Sequence, residues 1–197
     1  VAYQTAYLKC HYRSQFMAAL LTSVLDNTDK VIEYSGECQR LGIQVLPPDI
    51  NVSDGGFTVD GQNIRFGLNA VKNVGRNLIA TTVQERKETP FRSLYDYCKR
   101  LYGVEINRRA VESLIKAGAF DRLEDTRRGM LESVEGILKS VETDARKNVA
   151  GQLDLFSQLD DEDEWDDYHI PKVPEYPPQE LLRMEKEVSG LYLSGHP

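Results

Sequence analysis

Apolar positions recur with the period of an α-helix in the first forty residues. Residues 2–10 are typical of a helix end, and a second helix is predicted after a break near residues 12–14. A third helix is predicted to begin at the cap-like Asp26-Asn27-Thr28 and to stop at Gly42. The second and third helices each have an apolar stripe that must pack on a neighbour. Its residues are Met17, Leu20, Leu21, Val24 and Leu25 in the second, and Val31, Tyr34, Cys38 and Leu41 in the third.

Short alternating stretches interrupt the helical pattern. Residues 43–46 are typical of a strand that ends at Pro47, and residues 57–59 and 64–66 flank an Asp60-Gly61 turn signal. We therefore expect a small β-hairpin or sheet after the N-terminal helical subdomain.

Helical spacing then returns for most of the remaining chain. Residues 91–98 predict a helix, Asn107 is expected to cap the next, and another begins at Thr126 and weakens over 143–148. Residues 179–188 are helical again. The apolar positions expected in the core are Leu94, Tyr97, Cys98 and Leu101 in the first of these helices, and Leu131, Val134, Leu138 and Val141 in the third. The predicted fold class is mainly α with a small β-hairpin or sheet.

A tight turn lies between two apolar-periodic runs in residues 66–79. Gly75 can take a positive φ, and Asn73 is among the few other residues that tolerate one. The following helix, starting near Arg76, presents unpaired N–H groups at its positive end, and Lys72 adds charge. The turn suits a phosphate group.

A second, weaker copy of this pattern occupies residues 111–120, with Lys116, Ala117 and Gly118 at its turn. The pair resembles the tandem helix-hairpin-helix module, which binds the DNA backbone without base preference. In that module the first turn usually contains Gly, an apolar residue and Gly, from which Asn73 departs. The alternative is that Gly75 and Gly118 only end helices, as glycine commonly does. The candidate DNA-binding residues are Lys72, Asn73, Val74, Gly75, Arg76, Lys116, Ala117 and Gly118.

The charge distribution favours the DNA-binding interpretation. The 197-residue chain has a net charge of −7, yet residues 64–128 contain fourteen Lys and Arg against eight Asp and Glu, which gives that window +6 and the rest −13. A positive region in an acidic chain is expected of a local phosphate-binding surface. The alternative is a solvated helix face.

Several classes of protein are disfavoured by the composition. No apolar run has the length of a membrane span, and the first residues lack the pattern of a signal peptide. Three widely spaced cysteines without CxxC spacing indicate neither a disulfide framework nor a zinc site. We expect a cytoplasmic setting, and the start at Val1 without Met suggests a fragment of a longer protein.

The region after residue 148 has a different composition. Gln152-Leu153-Asp154-Leu155-Phe156 is a short apolar island, and residues 160–167 contain seven acids around Trp165 before a proline-rich stretch. Such an acidic run repels itself, so an extended acidic C-terminal linker is predicted.

Taken together, these motifs closely resemble the alpha subunits of bacterial replicative DNA polymerase III over nearly the whole chain. The segments that carry the resemblance are residues 6–9, 16–20, 26–30, 46–51, the two turns, 152–156 and 190–197. Arg13 departs from the proline that the family often has there. The resemblance implies the end of a fingers domain at 1–51 and the tandem helix-hairpin-helix DNA-binding part of a clamp-binding domain at 52–148. It further implies the clamp-binding peptide and linker at 149–178, and at 179–197 a helix leading toward a missing OB domain.

The resemblance also implies an activity and partners. The longer protein would be a DNA-directed DNA polymerase whose palm-domain aspartates hold Mg²⁺, whereas this chain has no catalytic residue and no cofactor of its own. Its partners would be primer-template duplex DNA, the sliding clamp and other replisome subunits, without a membrane. Gln152, Leu153, Asp154, Leu155 and Phe156 would bind the clamp.

Two other functions remain open at this point. A helix-hairpin-helix module of a repair nuclease or ligase would share the region around Gly75, but gives no reason for residues 152–156. A protein–protein adapter would use its turns to pack against protein. For Leu155 and Phe156 the alternative is a helix end that folds back onto the core.

Overall fold

The computed structural model describes residues 2–104, 106–149 and 168–195. Within these ranges the chain is mainly helical, as predicted, and has one small sheet. The N-terminal helices are α1 (Ala2–His11), α2 (Arg13–Ser23) and α3 (Thr28–Arg40). Strands β1 (Val45–Leu46), β2 (Thr58–Asp60) and β3 (Asn63–Arg65) follow, with a short 3-10 helix at Leu68–Ala70. The remaining helices are α4 (Arg76–Glu88), α5 (Leu94–Arg100), α6 (Arg108–Lys116), α7 (Arg127–Val149) and α8 (Pro178–Ser189).

Local capping chemistry sets several helix ends. The side chain of Asn27 accepts a hydrogen bond from the Lys30 N–H at 3.1 Å, and that of Asn107 accepts one from the Ala110 N–H at 2.9 Å. Both predicted caps are thereby confirmed. Ser93 caps α5 in the same way, so this helix begins at Leu94 rather than at residue 91.

The three strands form one sheet in the order β1-β3-β2. β2 pairs antiparallel with β3 across the predicted turn, where Gly61 has φ 64°, and β1 pairs parallel with β3. The pairing of Val45 with Ile64 joins residues on either side of the expected domain boundary at residues 51 and 52. That boundary stays a prediction.

Two hydrophobic clusters fill the interior. The first lies among α4, α5, α6 and α7, where the Tyr97 ring contacts Phe91 and Phe120 edge-on at 5.0 and 5.1 Å between centroids. The second joins α2, α3 and the sheet to Ala117 and to the C-terminal residues Val188 and Leu193. Val74 packs against both clusters, so the turn that contains it lies at their junction.

α7 differs from its predicted form. It continues to Val149 instead of weakening after residue 143. Val134 and Val141 are buried as predicted, whereas Leu131 and Leu138 are only partly buried, because the face turned to the core includes the residue before each of them instead. The buried residues of that face are Met130, Val134, Ile137 and Val141.

The proline-rich stretch is irregular but packed. Residues 168–177 form no helix or strand, yet Tyr168 and Ile170 contact the first cluster. The Glu175 carboxylate accepts the N–H groups of Arg127 at 2.6 Å and Arg128 at 3.2 Å, which caps α7 from a distant part of the chain. These residues are therefore docked on α7 rather than free. The acidic run at 160–167 lies outside the described residues.

Candidate nucleic-acid interface

The first turn, residues 72–76, projects from a rigid base. Leu68 before it and Leu78 after it are completely buried, and Val74 is half-buried between the two clusters. Lys72, Asn73, Gly75 and Arg76 are exposed. The turn therefore offers backbone and cationic groups to solvent while its ends are fixed in the core.

Asn73, not Gly75, has the left-handed backbone conformation. Its φ is 65°, whereas Gly75 has φ −72° and ψ 142° and serves as the N-cap of α4. Of the two residues that the sequence offered for a positive φ, Asn73 takes it, because Gly75 as an N-cap residue has extended backbone angles, which any residue can adopt. Asn73 also donates from Nδ2 to the Ser113 Oγ at 3.2 Å, which fixes the turn against α6.

We predict that Asn73→Ala lowers the free energy of unfolding by about 1–2 kcal/mol, because alanine tolerates positive φ poorly and lacks the amide. Asn73→Gly is expected to cost less, since glycine adopts this φ without strain but still loses the bond to Ser113. Urea denaturation of both variants measures the difference. Equal stability of the alanine variant and the original chain would contradict the assignment of strain to this position.

Charge at the first turn is accessible. The Arg76 Nη2 lies 2.6 Å from both carboxylate oxygens of Asp26, and this hydrogen bond and the opposite charge raise the pKa of Arg76. Both side chains are well exposed, so the pair contributes little to stability and can exchange for a phosphate. No side chain caps the N-terminus of α4. Within the described ranges Lys72 makes no ion pair, although its backbone N–H donates to the Val188 carbonyl at 2.8 Å.

The second turn, residues 116–118, ends a helix. Gly118 has φ 85° and donates to the Ile115 carbonyl, and Ala119 donates to the Leu114 carbonyl at 3.0 Å. These two bonds form a Schellman motif, the usual glycine-assisted end of a helix. α7 begins only at Arg127, so no helix N-terminus follows directly. Gly118 thus ends a helix, whereas Gly75 precedes one, and the DNA-binding role of both residues stays a prediction.

The second turn is also covered by protein. Ala117 is completely buried, and a Cβ on Gly118 would lie 2.5 Å from the Arg127 Nη2. The Lys116 Nζ is 3.0 Å from a carboxylate oxygen of Glu187 in α8. Of the three predicted residues, only Lys116 has a charged group within reach of solvent.

A buried ionic network holds α8 against the residues that follow the second turn. Arg127 forms a bidentate pair with Asp121, through Nε at 2.9 Å and Nη2 at 2.6 Å, and its Nη1 contacts Glu185 at 3.0 Å. Burial lowers the pKa of Arg127, but the hydrogen bonds and charges of the two carboxylates outweigh it and raise the pKa overall. Glu185 has no exposed surface, and its other oxygen accepts the N–H groups of Leu193 and Ser194.

α8 therefore touches both turns. It accepts the Lys72 N–H at Val188, pairs with Lys116 through Glu187 and binds Arg127 through Glu185. Sequence reasoning missed this arrangement, and no signal in the apolar pattern relates α8 to turns more than 70 residues away. The buried charge of Glu185 in an otherwise amphipathic helix is visible only in the structure.

The remaining predictions can be compared with the structure only within the described ranges. Residues 152–156, the predicted clamp-binding peptide, lie outside them. Among the described residues, no group of three or more His, Cys, Asp or Glu side chains is placed to hold a metal ion. In the same part of the chain, no helix is both long enough and apolar enough to cross a membrane.

Comparison with known proteins identifies a family that matches the region of the two turns and relatives that match the whole chain. Residues 42–130 match a family described as the helix-hairpin-helix motif. The matched residues include the sheet, both turns and α4 to α6. The chain is 44% identical over 203 residues to a DNA polymerase III subunit alpha of Saccharopolyspora erythraea. It is 41% identical over 199 residues to those of Vibrio cholerae and Escherichia coli strain K12. Each alignment covers all of this chain but only 17% of the relative.

Proposed function

The chain belongs to the family of DNA polymerase III alpha subunits, and on that premise we propose that it is the part of a cytoplasmic replicative DNA polymerase that holds duplex DNA. In this proposal the chain binds the phosphate backbone, tethers the polymerase to the sliding clamp and works beside other replisome subunits. Nucleotidyl transfer is proposed to take place elsewhere in the longer protein, at palm-domain aspartates that hold Mg²⁺.

The single observation that carries the DNA-binding proposal is the geometry of the first turn. A helix N-terminus without a side-chain cap is exposed there, between Lys72 and Arg76. Among the described residues Lys72 has no ion-pair partner, and the pair of Arg76 with Asp26 is open to solvent. Backbone N–H groups and cations are what a phosphate oxygen accepts hydrogen bonds from. The groups carry no pattern for base edges, so binding without sequence preference is expected.

The second turn has a smaller part in this proposal. Ala117 is buried and Gly118 is covered, so neither presents a group to a phosphate directly. Lys116 can contribute only when its ammonium leaves Glu187. We propose that Ala117 and Gly118 act by shaping the end of α6, and that DNA contact lies mainly at the first turn.

The other functions considered have less support. A repair nuclease or ligase does not account for relatives that align along the whole chain under one name. An adapter whose turns pack on protein describes the second turn, which α8 covers, but not the exposed first turn.

The salt dependence of DNA binding tests the proposal. For duplexes of unrelated sequence, the logarithm of the binding constant should fall linearly with the logarithm of the salt concentration, with a slope of about −0.9 per phosphate neutralised. Lys72→Ala combined with Arg76→Ala should weaken binding to every duplex alike and flatten the slope by about 2. Fluorescence anisotropy at several salt concentrations provides the measurement.

A matched control separates a specific site from general charge. Lys139→Ala with Arg146→Ala removes the same two charges from α7, where each cation pairs with a glutamate four residues away. This variant should bind nearly as the original chain does. Equal loss in the two double variants, or a strong preference for one sequence, would overturn the proposal.

A further inference from the structure

We propose that Arg109 extends the phosphate-binding surface of the first turn onto α6. The inference rests on the proposed DNA binding and adds a residue to it. In this arrangement the first turn holds one phosphate of a strand and the Arg109 guanidinium holds a neighbouring phosphate of the same strand.

The position of Arg109 follows from the contact between Asn73 and α6. The Asn73 amide reaches Ser113 at 3.2 Å, so the face of α6 that carries Ser113 is turned toward the first turn. Arg109 lies four residues before Ser113, hence on the same face, about 5–6 Å away between Cβ atoms. Arg109 is thus about one helical turn from the contact between Asn73 and Ser113. Because successive phosphates of one strand advance by about 3.4 Å along the duplex axis, a short stretch of one strand can reach from the first turn to Arg109.

The charge state of the neighbouring residues supports a ligand of opposite sign. Arg108 is paired with Glu112 at 2.6 Å and with Glu135 at 3.1 Å. Arg109 is exposed and makes no ion pair with any carboxylate of the described residues. Two adjacent arginines thus differ in their partners, and the one without a carboxylate lies on the side of the first turn.

This difference supplies a closely matched pair of variants. Arg109→Ala and Arg108→Ala remove the same charge from adjacent positions, so their long-range electrostatic effects are nearly equal. Arg109→Ala should lower the affinity for duplex DNA roughly tenfold at low salt, as expected for a lost hydrogen bond to a charged group. It should also reduce the salt slope by about 1, whereas Arg108→Ala should leave the slope unchanged.

A second measurement maps the contact directly. A hydroxyl-radical-generating iron chelate attached to Arg109→Cys should cleave the DNA within a few nucleotides of the cuts made from Lys72→Cys, on the same strand. Cys10 is exposed and would be replaced by serine first, while Cys38 and Cys98 are buried. The same chelate on Arg146→Cys serves as the distant control, because position 146 lies eleven residues, or about 16 Å, along α7 from the Glu135 that pairs with Arg108.

The outcomes distinguish this inference from the proposed function. If Lys72→Ala with Arg76→Ala weakens binding but Arg109→Ala equals Arg108→Ala, and position 109 cuts no more than position 146, only the role of Arg109 is overturned. If neither the first turn nor Arg109 affects binding, and position 72 yields no cuts, the proposed DNA site itself is wrong. A smaller salt slope in Arg109→Ala, together with adjacent cuts from positions 72 and 109, supports both the proposed DNA site and the role of Arg109.

Discussion

Arg127→Met is expected to lower the free energy of unfolding by about 3–5 kcal/mol, the usual cost of removing one partner from a buried ion pair. Methionine preserves much of the side-chain volume but none of the donors. Glu185, which has no exposed surface, would lose the cation that pairs with it, and the Lys116 carbonyl would lose its bond from the Arg127 Nη1. Such a loss is a large fraction of the stability of a small domain. Urea denaturation followed by circular dichroism measures it.

Two further variants show whether the buried charge is the cause. Arg128→Met removes the neighbouring arginine, which is exposed and pairs with Glu132 on the same helix, so its effect should be small. Combining Arg127→Met with Glu185→Gln removes both buried charges and keeps an acceptor for the N–H groups of Leu193 and Ser194. The double variant should recover part of the lost stability. A single-variant loss no larger than that of Arg128→Met would contradict the prediction.

The same network links stability to the first turn, where DNA binding is proposed. Glu185 and Val188 belong to one helix, and Val188 accepts the Lys72 N–H of the first turn. When Arg127 no longer holds Glu185, α8 is less firmly fixed, and hydrogen exchange at the Lys72 amide should become faster. An unchanged exchange rate at Lys72, in a variant destabilised as expected, would show that the first turn does not depend on α8.

Features governed by short stretches of sequence were predicted well. The caps at Asn27 and Asn107 require only a side chain that reaches an N–H three residues ahead, and both form. The turn at Gly61 requires one residue that tolerates positive φ between alternating stretches, and it joins β2 to β3. The mainly helical fold with a small sheet follows from the apolar period.

Features that depend on distant packing were not predictable in the same way. The two turns look alike in sequence, yet one is exposed and the other is covered by α8 and by Arg127. Which turn receives this cover depends on contacts between residues 58 and 71 positions apart, Arg127 with Glu185 and Lys116 with Glu187. Local propensity carries no information about such pairs, because a salt bridge between remote residues produces no periodic pattern in the sequence.

Replacing Leu155 and Phe156 together with alanine is expected to abolish binding to the sliding clamp. The resemblance assigns residues 152–156 to a short clamp-binding peptide in which these two side chains fill an apolar pocket, while the Gln152 amide fixes the register at its rim. Burial of each apolar side chain contributes roughly 1.5–3 kcal/mol before the ordering of the peptide is subtracted, so the peptide alone binds weakly. Loss of both leaves little affinity. Surface plasmon resonance with purified clamp measures the effect.

The clamp prediction also fixes what should not change. Leu159→Ala with Trp165→Ala removes an aliphatic and an aromatic side chain from the same part of the chain and should retain clamp binding. DNA affinity and the urea midpoint should be nearly unaffected in both double variants. On primed DNA that threads the clamp, the contact at the first turn raises the effective concentration of the peptide, so the original chain should bind more tightly there than to free clamp. Normal clamp binding by the Leu155 and Phe156 variant would place the tether elsewhere. Its unfolding would instead show that these side chains belong to the core.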